Sequence, residues 1–261
     1  MSGTTPDIRH SARPGGERLA FRKAEGAGPT LVFLPGYKSD MAGGKATMLF
    51  DRAVAQGRAA LLIDYAGCGE SGGAFEDQTL ESWRDDALYL IETQTAGPVL
   101  LVGSSMGGWL MLLVALALAA RDGAARIAGL VGIAAAPDFT DWGFDAAQRA
   151  QLARGETLYE ANDYGPEPTP TTAAFWASGQ ANRLLGGGPI AIDAPVRLLQ
   201  GQQDAEVPHD VALRLAAALR SADVQTLLIK DGDHRLSRPQ DLALLAATVD
   251  RLFEGAAKDR S

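Results

Sequence analysis

The chain has 261 residues, of which 46% are hydrophobic, so it can bury a sizeable core, and we expect one α/β domain that carries an insertion. Acidic residues outnumber Lys and Arg by 32 to 24, and the resulting net charge of -8 argues against a nucleic acid or an anionic lipid surface as partner. A single cysteine and three histidines exclude an intrachain disulfide and a Cys/His zinc site, so we expect no metal and no other cofactor.

The N-terminal residues 1–21 contain no apolar run of the kind that forms the core of a signal peptide. The most apolar stretch, WLMLLVALALAA at 109–120, is shorter than the roughly 20 residues of a bilayer span and is typical of a buried helix. These two features predict a cytoplasmic protein without stable membrane insertion.

Short β-branched or leucine-rich runs alternate with longer amphipathic segments along most of the chain. This alternation predicts a mostly parallel sheet with helices on both faces. An antiparallel entry strand is predicted at 17–21, followed by strands at 30–36, 59–65, 99–104, 130–137, 196–201 and 224–230. Helices are predicted at 41–56, 79–94, 106–121, 209–221 and 239–254.

The segment 138–195 breaks this alternation, because it is too long for a plain connection between two strands. We expect a small helical lid or cap at 138–190, with helices near 145–157 and 172–185. Six large aromatic residues lie in it: Trp142, Phe144, Tyr159, Tyr164, Phe175 and Trp176. For any single one of them packing is more common than ligand contact, but as a group they suggest a lid.

The stretch VGSSMGGW at 102–109 contains two adjacent serines between glycines. Only Ser105 stands at the centre of a G-x-S-x-G pattern, directly after an apolar strand and before a buried helix. A sharp turn there exposes the serine hydroxyl, and Gly103 and Gly107 let the neighbouring backbone pass closely. Ser105 is therefore the predicted nucleophile, and Ser104 is expected to point the other way. The alternative is a serine that only caps the helix.

A serine needs a base, which is usually a histidine held by a carboxylate. His10 precedes the first long strand in a segment that we expect to be loose, and His209 stands beside a proline at a helix start. His234, in DGDHRLS after the last strand, remains as the candidate.

The carboxylate is expected on a loop between the nucleophile and the histidine. Asp204, in LLQGQQDAEVP, directly follows a strand and is the candidate. Asp138 and Asp141, after the preceding strand, are the alternative.

Two backbone N–H groups are needed to hold the oxyanion that forms on the substrate carbonyl. One is that of Met106, the residue after the nucleophile, and the other is that of Tyr37 in LPGY. The segment DYAGCGES at 64–71 follows the next strand. We expect Asp64 and its glycines to shape the rim of the site, and Cys68 to be an inert thiol.

The chain resembles the α/β-hydrolase superfamily over nearly its whole length, through the ordered segments LPGYKSDMAGGKA, DYAGCGESGG, GSSMGGWLMLL, PVRLLQGQQDAEVP and DGDHRLS. More narrowly, it resembles the branch that contains a mitochondrial palmitoyl-protein thioesterase and acyl-glucuronide esterase. The resemblance implies Ser105 as nucleophile, Asp204 and His234 as its partners, and Tyr37 and Met106 as oxyanion donors. Because no organellar presequence is apparent, the mitochondrial location is not carried over.

The predicted function is a serine hydrolase that cleaves carboxylic esters or thioesters of small to medium acyl groups, of the carboxylesterase or acyl-protein thioesterase type. Its partner is a small-molecule or acylated substrate. The predicted substrate contacts are Trp109, Trp142, Phe144, Phe175 and Trp176, and a lid arginine among Arg149, Arg154 and Arg183 is a candidate receiver of a carboxylate. A serine peptidase, an acyltransferase and a non-catalytic ligand-binding scaffold are the alternatives.

Overall fold

The computed structural model describes residues 7–161 and 167–258. Ten strands lie in these residues: β1 (Arg9–Ala12), β2 (Arg18–Ala24), β3 (Ala27–Leu34), β4 (Arg58–Ile63), β5 (Val99–Ser104), β6 (Ile127–Ile133), β7 (Leu158–Glu160), β8 (Thr169–Thr171), β9 (Val196–Gly201) and β10 (Val224–Ile229). Eight of them form one sheet in the order β1-β2-β4-β3-β5-β6-β9-β10. All neighbours from β4 to β10 are parallel, whereas β1 and β2 are antiparallel to their neighbours.

Helices cover both faces of this sheet. The α-helices of the described residues are α1 (Gly44–Ala55), α2 (Leu80–Gln94), α3 (Met106–Asp122), α4 (Phe139–Trp142), α5 (Ala146–Ala153), α6 (Ala173–Ala181), α7 (His209–Ala218) and α8 (Pro239–Lys258). Of these, α4, α5 and α6 lie in the long segment between β6 and β9. Buried residues of α2, α3 and α7 pack with Val99 and Leu101 of β5 on one face, and those of α1 and α8 pack with Leu100 and Val102 on the other. The two-residue period of a strand sends its neighbouring side chains to opposite faces. The predicted α/β fold, with a mostly parallel sheet between two helical layers, is confirmed.

Helix α3 is apolar on all sides, and eleven of its residues from Met106 to Leu118 are buried. It ends at Gly123, whose φ of 85° lies in the left-handed region that glycine adopts without a Cβ clash. The structure places this helix in the core, as its composition indicates. Among the described residues, no helix combines the length and the apolarity needed to cross a membrane.

Two short pairings were not expected from the sequence. Strand β1 contains His10, in the segment expected to be loose, and pairs in antiparallel register with β2. Strands β7 and β8 form a separate two-stranded sheet in which Tyr159 is opposite Pro170. Both depend on pairing with a neighbouring strand rather than on an apolar pattern of their own, because β1 is mostly exposed and β7 and β8 have three residues each.

We call residues 138–190, between β6 and β9, the cap segment. Its described part runs through α4, α5, β7, β8 and α6, so the two helices predicted near 145–157 and 172–185 are present in shorter form. Asp138 closes its base, because the two carboxylate oxygens accept the backbone N–H of Leu184 at 2.8 Å and of Leu185 at 2.6 Å. Tyr164 lies outside the described residues.

Candidate active site

The turn between β5 and α3 presents Ser105 in a strained conformation. Its φ of 53° places a non-glycine residue in the left-handed region, and Met106 begins the helix directly after it. The neighbouring glycines are required, because a Cβ on Gly103 would lie 2.2 Å from the Gly107 carbonyl oxygen, and one on Gly107 would lie 2.1 Å from that of Leu34. The backbone packing around the serine therefore excludes any larger residue at these two positions.

Hydrogen bonds to β6 and the residues after it fix the same turn. The Ser105 N–H donates to the Ile133 carbonyl at 2.9 Å, and the Ser105 carbonyl accepts the N–H of Gly108 at 2.8 Å and of Ala136 at 3.1 Å. The N–H and the carbonyl of the serine are thus both bonded to the backbone, and only its side-chain hydroxyl remains to face the cleft.

Three side chains from distant parts of the chain meet in one line. The His234 Nε2 atom lies 3.1 Å from the Ser105 Oγ, and Nδ1 lies 2.9 Å from an Asp204 carboxylate oxygen. The Asp204 side chain is fully buried and also accepts the N–H of Glu206 at 2.9 Å and of Val207 at 2.8 Å. The histidine is hydrogen-bonded to Ser105 and not to the neighbouring Ser104.

Electrostatics favour the ionised form of the Asp204 carboxyl. Burial by itself raises its pKa, but the hydrogen bond from His234 and the backbone N–H groups of Val207 and Glu206 outweigh that effect, and the pKa lies below its ordinary value. An ionised carboxylate at Nδ1 holds the proton on that nitrogen, so Nε2 presents its lone pair to the Ser105 hydroxyl.

A second carboxylate reaches the same histidine. Glu206 lies two residues after Asp204, and its Oε2 is 3.5 Å from the His234 Nε2 while about half of the side chain stays exposed. Glu206 was not among the site residues predicted from the sequence. Its position in the Asp204 loop was the one available signal.

The other candidates for base and acid lie elsewhere. Asp138 is engaged with the backbone at the base of the cap segment, and burial raises its pKa. Asp141 accepts a hydrogen bond from Arg183 at 3.0 Å. His10 is 3.3 Å from the carbonyl oxygen of Glu70, and the exposed His209 is the first residue of α7.

The loop after β3 lies directly against the serine turn. A Cβ on Gly36 would be 3.2 Å from the Ser104 carbonyl oxygen, so a larger residue would push the two loops apart by a few tenths of an ångström. Tyr37 and Met106, the predicted oxyanion donors, line the same cleft as Ser105. Within 7–161 and 167–258, neither of their backbone N–H groups donates to another group of the protein, so both can serve a ligand.

A cleft of about 760 Å³ opens over Ser105 and His234. The cap segment and the end of β6 contribute an apolar part of its wall, and α1 and the loop after β10 contribute a polar part that includes Lys45 and Arg235. The apolar lining residues from the cap segment and the turn before it are Ala136, Phe139, Trp142, Phe144 and Ala161, and the Asp204 loop adds Ala205 and Val207.

Two of the five predicted substrate contacts line this cleft, namely Trp142 and Phe144. The other three do not. Trp109 is fully buried and donates to the Asn182 carbonyl at 3.2 Å, Trp176 donates to that of Thr140 at 3.0 Å, and Phe175 is 1% exposed. Trp109 and Phe175 belong to the core cluster on one face of the sheet, whereas Trp176 packs within the cap segment against Phe144, Leu152 and Leu158. Phe139, which was not predicted, lies on the cleft wall.

The arginines proposed from the sequence as carboxylate receivers all have partners. Arg149 donates to the backbone carbonyl groups of Asp141 and Phe144, Arg154 pairs with Glu156, and Arg183 pairs with Asp141. The cationic side chains on the cleft wall come instead from other elements and include Lys45 and Arg235.

The residues expected to shape the rim do so. Both carboxylate oxygens of Asp64 accept backbone N–H groups, from Met41 at 2.7 Å and from Glu70 at 2.9 Å, and so join the loop after β3 to the loop after β4. Burial, with a contribution from the charge of Asp64, raises the pKa of the Cys68 thiol to about 12, which keeps it protonated at neutral pH.

Comparisons with known proteins agree with this geometry. The sequence pattern of the alpha/beta hydrolase family matches residues 31–253. Human palmitoyl-protein thioesterase ABHD10, mitochondrial, is 33% identical over 93% of this chain and 78% of its own length. The bovine protein of that name is 34% identical over 95% of this chain and 80% of its own.

Two solved structures are similar along nearly their whole length. A hydrolase from Agrobacterium vitis S4 superposes with a TM-score of 0.88 at 38% identity, covering 95% of this chain and 99% of that one. The alpha/beta hydrolase domain-containing protein 10 from mouse superposes with a TM-score of 0.86 at 32% identity and the same coverage.

The predicted cytoplasmic location is wrong in the light of these relatives, which are named as mitochondrial proteins. The prediction took residues 1–21 to contain neither the apolar core of a secretory signal nor an organellar presequence, but transit peptides are amphipathic and rich in arginine and have no such apolar core. The fold, the family pattern and the identity over most of the chain agree with one another: this protein is a member of the alpha/beta hydrolase family.

Proposed function

We propose that the protein is a serine hydrolase that cleaves carboxylic esters or thioesters of small to medium acyl groups. The observation that carries this proposal is the continuous line from the buried carboxylate of Asp204 through His234 to Ser105 on its strained turn. Each position in that line has the chemistry that acyl transfer to serine requires. The names of the human and bovine relatives, palmitoyl-protein thioesterase, support the same reaction class.

Acylation begins when the Ser105 Oγ attacks the carbonyl carbon of the substrate and His234 takes the hydroxyl proton on Nε2. The Nδ1–H stays bonded to Asp204, whose negative charge stabilises the imidazolium. The oxyanion accepts the backbone N–H groups of Tyr37 and Met106, which lie on either side of the serine turn. His234 then passes its proton to the leaving alcohol or thiol, and the acyl group remains on Ser105.

Deacylation repeats these steps with water. A water molecule that enters the leaving-group position gives a proton to the His234 Nε2 and attacks the acyl carbon. Collapse of the second tetrahedral intermediate returns that proton to Ser105 and releases the carboxylic acid.

The lining of the cleft favours the binding of an apolar acyl group. We propose that the acyl chain lies against Phe139, Trp142 and Phe144, because these rings are the aromatic part of the wall that the cap segment contributes. In this proposal the cap segment belongs to a single domain spanning residues 1–261, and its rings keep bulk water away from the acyl-enzyme.

A fluorophosphonate probe tests the nucleophile. It should label the wild type and Ser104→Ala but not Ser105→Ala, and labelling that follows Ser104 instead would contradict the assignment. On the same preparation, kcat/KM should be highest for p-nitrophenyl esters and acyl thioesters. Cleavage of aminoacyl amides at an equal rate would favour a peptidase.

A further inference from the structure

Lys45 connects the first turn of α1 to the loop that carries His234. Its Nζ donates to the Arg235 carbonyl at 2.5 Å and lies 3.4 Å from the Ser237 hydroxyl, across 190 residues of sequence. Arg235 directly follows His234, so this bond fixes the backbone one residue away from the imidazole.

The ammonium group of Lys45 lies in an unfavourable environment. Burial lowers its pKa, and the nearby charge of Arg235 lowers it further. Among the residues that the structure describes, no carboxylate lies within 4.0 Å of it. The carboxylates of Asp233 and Asp241 act at longer range but are bonded to the Leu236 N–H and to Arg238. The hydrogen bonds of the Lys45 Nζ are exposed to solvent, so water and the Arg235 carbonyl together stabilise its charge.

The other end of this connection is rigid. Helix α1 packs on the sheet through Ala46, Leu49 and Phe50, which are all buried. The loop before it is held by the bond from the Met41 N–H to Asp64. That same loop carries Tyr37, so the segment from Tyr37 to Lys45 joins the oxyanion donor to the histidine loop.

We propose that Lys45 is a positioning residue that holds His234 in line with Ser105. The inference rests on the proposed function, because it concerns the histidine of that reaction. Arg238 fixes the far side of the same loop through Asp231 and Asp241. On the side that faces the cleft, the Arg235 carbonyl accepts hydrogen bonds from Lys45 and from the Ser237 hydroxyl at 2.9 Å. Of these two donors, Lys45 is the one that ties the base to the loop of the oxyanion donor.

Lys45→Met tests this role. A displacement of about 1 Å in a reacting group costs up to roughly 100-fold in rate, so kcat for a neutral p-nitrophenyl ester should fall by about 10- to 100-fold. KM for this neutral ester should stay within about twofold, because the apolar part of the wall, where the acyl chain is proposed to lie, is unchanged. The second-order rate of fluorophosphonate labelling should fall in parallel. Lys45→Arg, which can donate to the same carbonyl, should restore most of the rate.

The matched control is Lys23→Met, which removes the same charge from a lysine of β2 that pairs with Glu25. It should leave all three measurements unchanged, and thermal unfolding of each variant reports whether it is folded. Full activity of Lys45→Met beside an active wild type would overturn this inference alone. A loss confined to the KM of substrates with an anionic leaving group would overturn it in favour of substrate recognition. An unlabelled, inactive wild type would overturn the proposed function and this inference with it.

Discussion

Tyr37 has two separable roles in the site, and Tyr37→Phe divides them. Its backbone N–H is the proposed oxyanion donor, whereas its side-chain hydroxyl donates to the Pro170 carbonyl in β8 at 2.7 Å. The ring packs against Phe75 and Phe175 with centroids 5.1 and 4.8 Å away. Phenylalanine keeps the ring contacts and the backbone N–H and removes only the hydrogen bond to the cap segment.

The expected loss of stability comes from the Pro170 carbonyl, which loses its hydrogen-bond donor. Pro170 is buried, and a buried acceptor that loses its donor costs about 1–3 kcal/mol. Tyr37 is only partly buried, so water can replace part of the bond, and we expect the free energy of unfolding to fall by about 1–2 kcal/mol. For a chain of this size the melting temperature should fall by about 2–8 °C.

Thermal unfolding and steady-state hydrolysis of a p-nitrophenyl ester, measured on one preparation, test both roles. We expect the lower melting temperature together with a kcat within about threefold of the wild type, because the oxyanion donor belongs to the backbone. Tyr159→Phe is the matched control: its side chain is 60% exposed, and neither quantity should change. A loss of kcat of about 100-fold at an unchanged melting temperature would mean that the phenol takes part in the reaction.

Two further predictions concern carboxylates. Asp204→Ala should lower kcat by about 10⁴-fold. Asp138→Ala should destabilise the cap segment by about 2 kcal/mol or more and keep kcat for a small ester within about tenfold. The reverse pattern would place the acid at Asp138. Arg238→Met should lower the free energy of unfolding at pH 7. The hydrogen bond from Arg238 lowers the pKa of Asp241, so this stabilisation is present above the unfolded value of about 3.9 and is lost as the pH falls through the lower folded value. Chemical denaturation from pH 7 to pH 3 should show the difference from wild type shrinking below about pH 4, and a constant difference would contradict this.

The sequence predicted the parts of the fold whose signals are local. The turn at Ser105 could be placed because an apolar strand, two indispensable glycines and an apolar helix follow one another without a gap. Strand β1 could not be placed, since Arg9–Ala12 has no apolar alternation and owes its conformation to β2.

The parts of the site that were missed depend on contacts between distant loops. Trp109 lies in the first turn of α3, but its sequence position does not show that Asn182 and Phe139 cover it. Lys45 and His234 are joined only through the folded chain, so no local pattern connects them. Glu206 is a different case, because the sequence shows its place in the Asp204 loop but does not show that its side chain points toward His234.

The carboxylate of Asp138 makes the cap segment an exchangeable part of the molecule. Because it binds the backbone of Leu184 and Leu185, the chain leaves the sheet layer and returns to it at one point. Changes in the length of the cap segment between these two anchors therefore add only a small entropic cost of loop closure. We expect a segment of a relative to replace residues 139–183 and change the acyl specificity over an unaltered Ser105, provided that Asp138 is retained together with the contacts of Tyr37 and Trp109 to this segment.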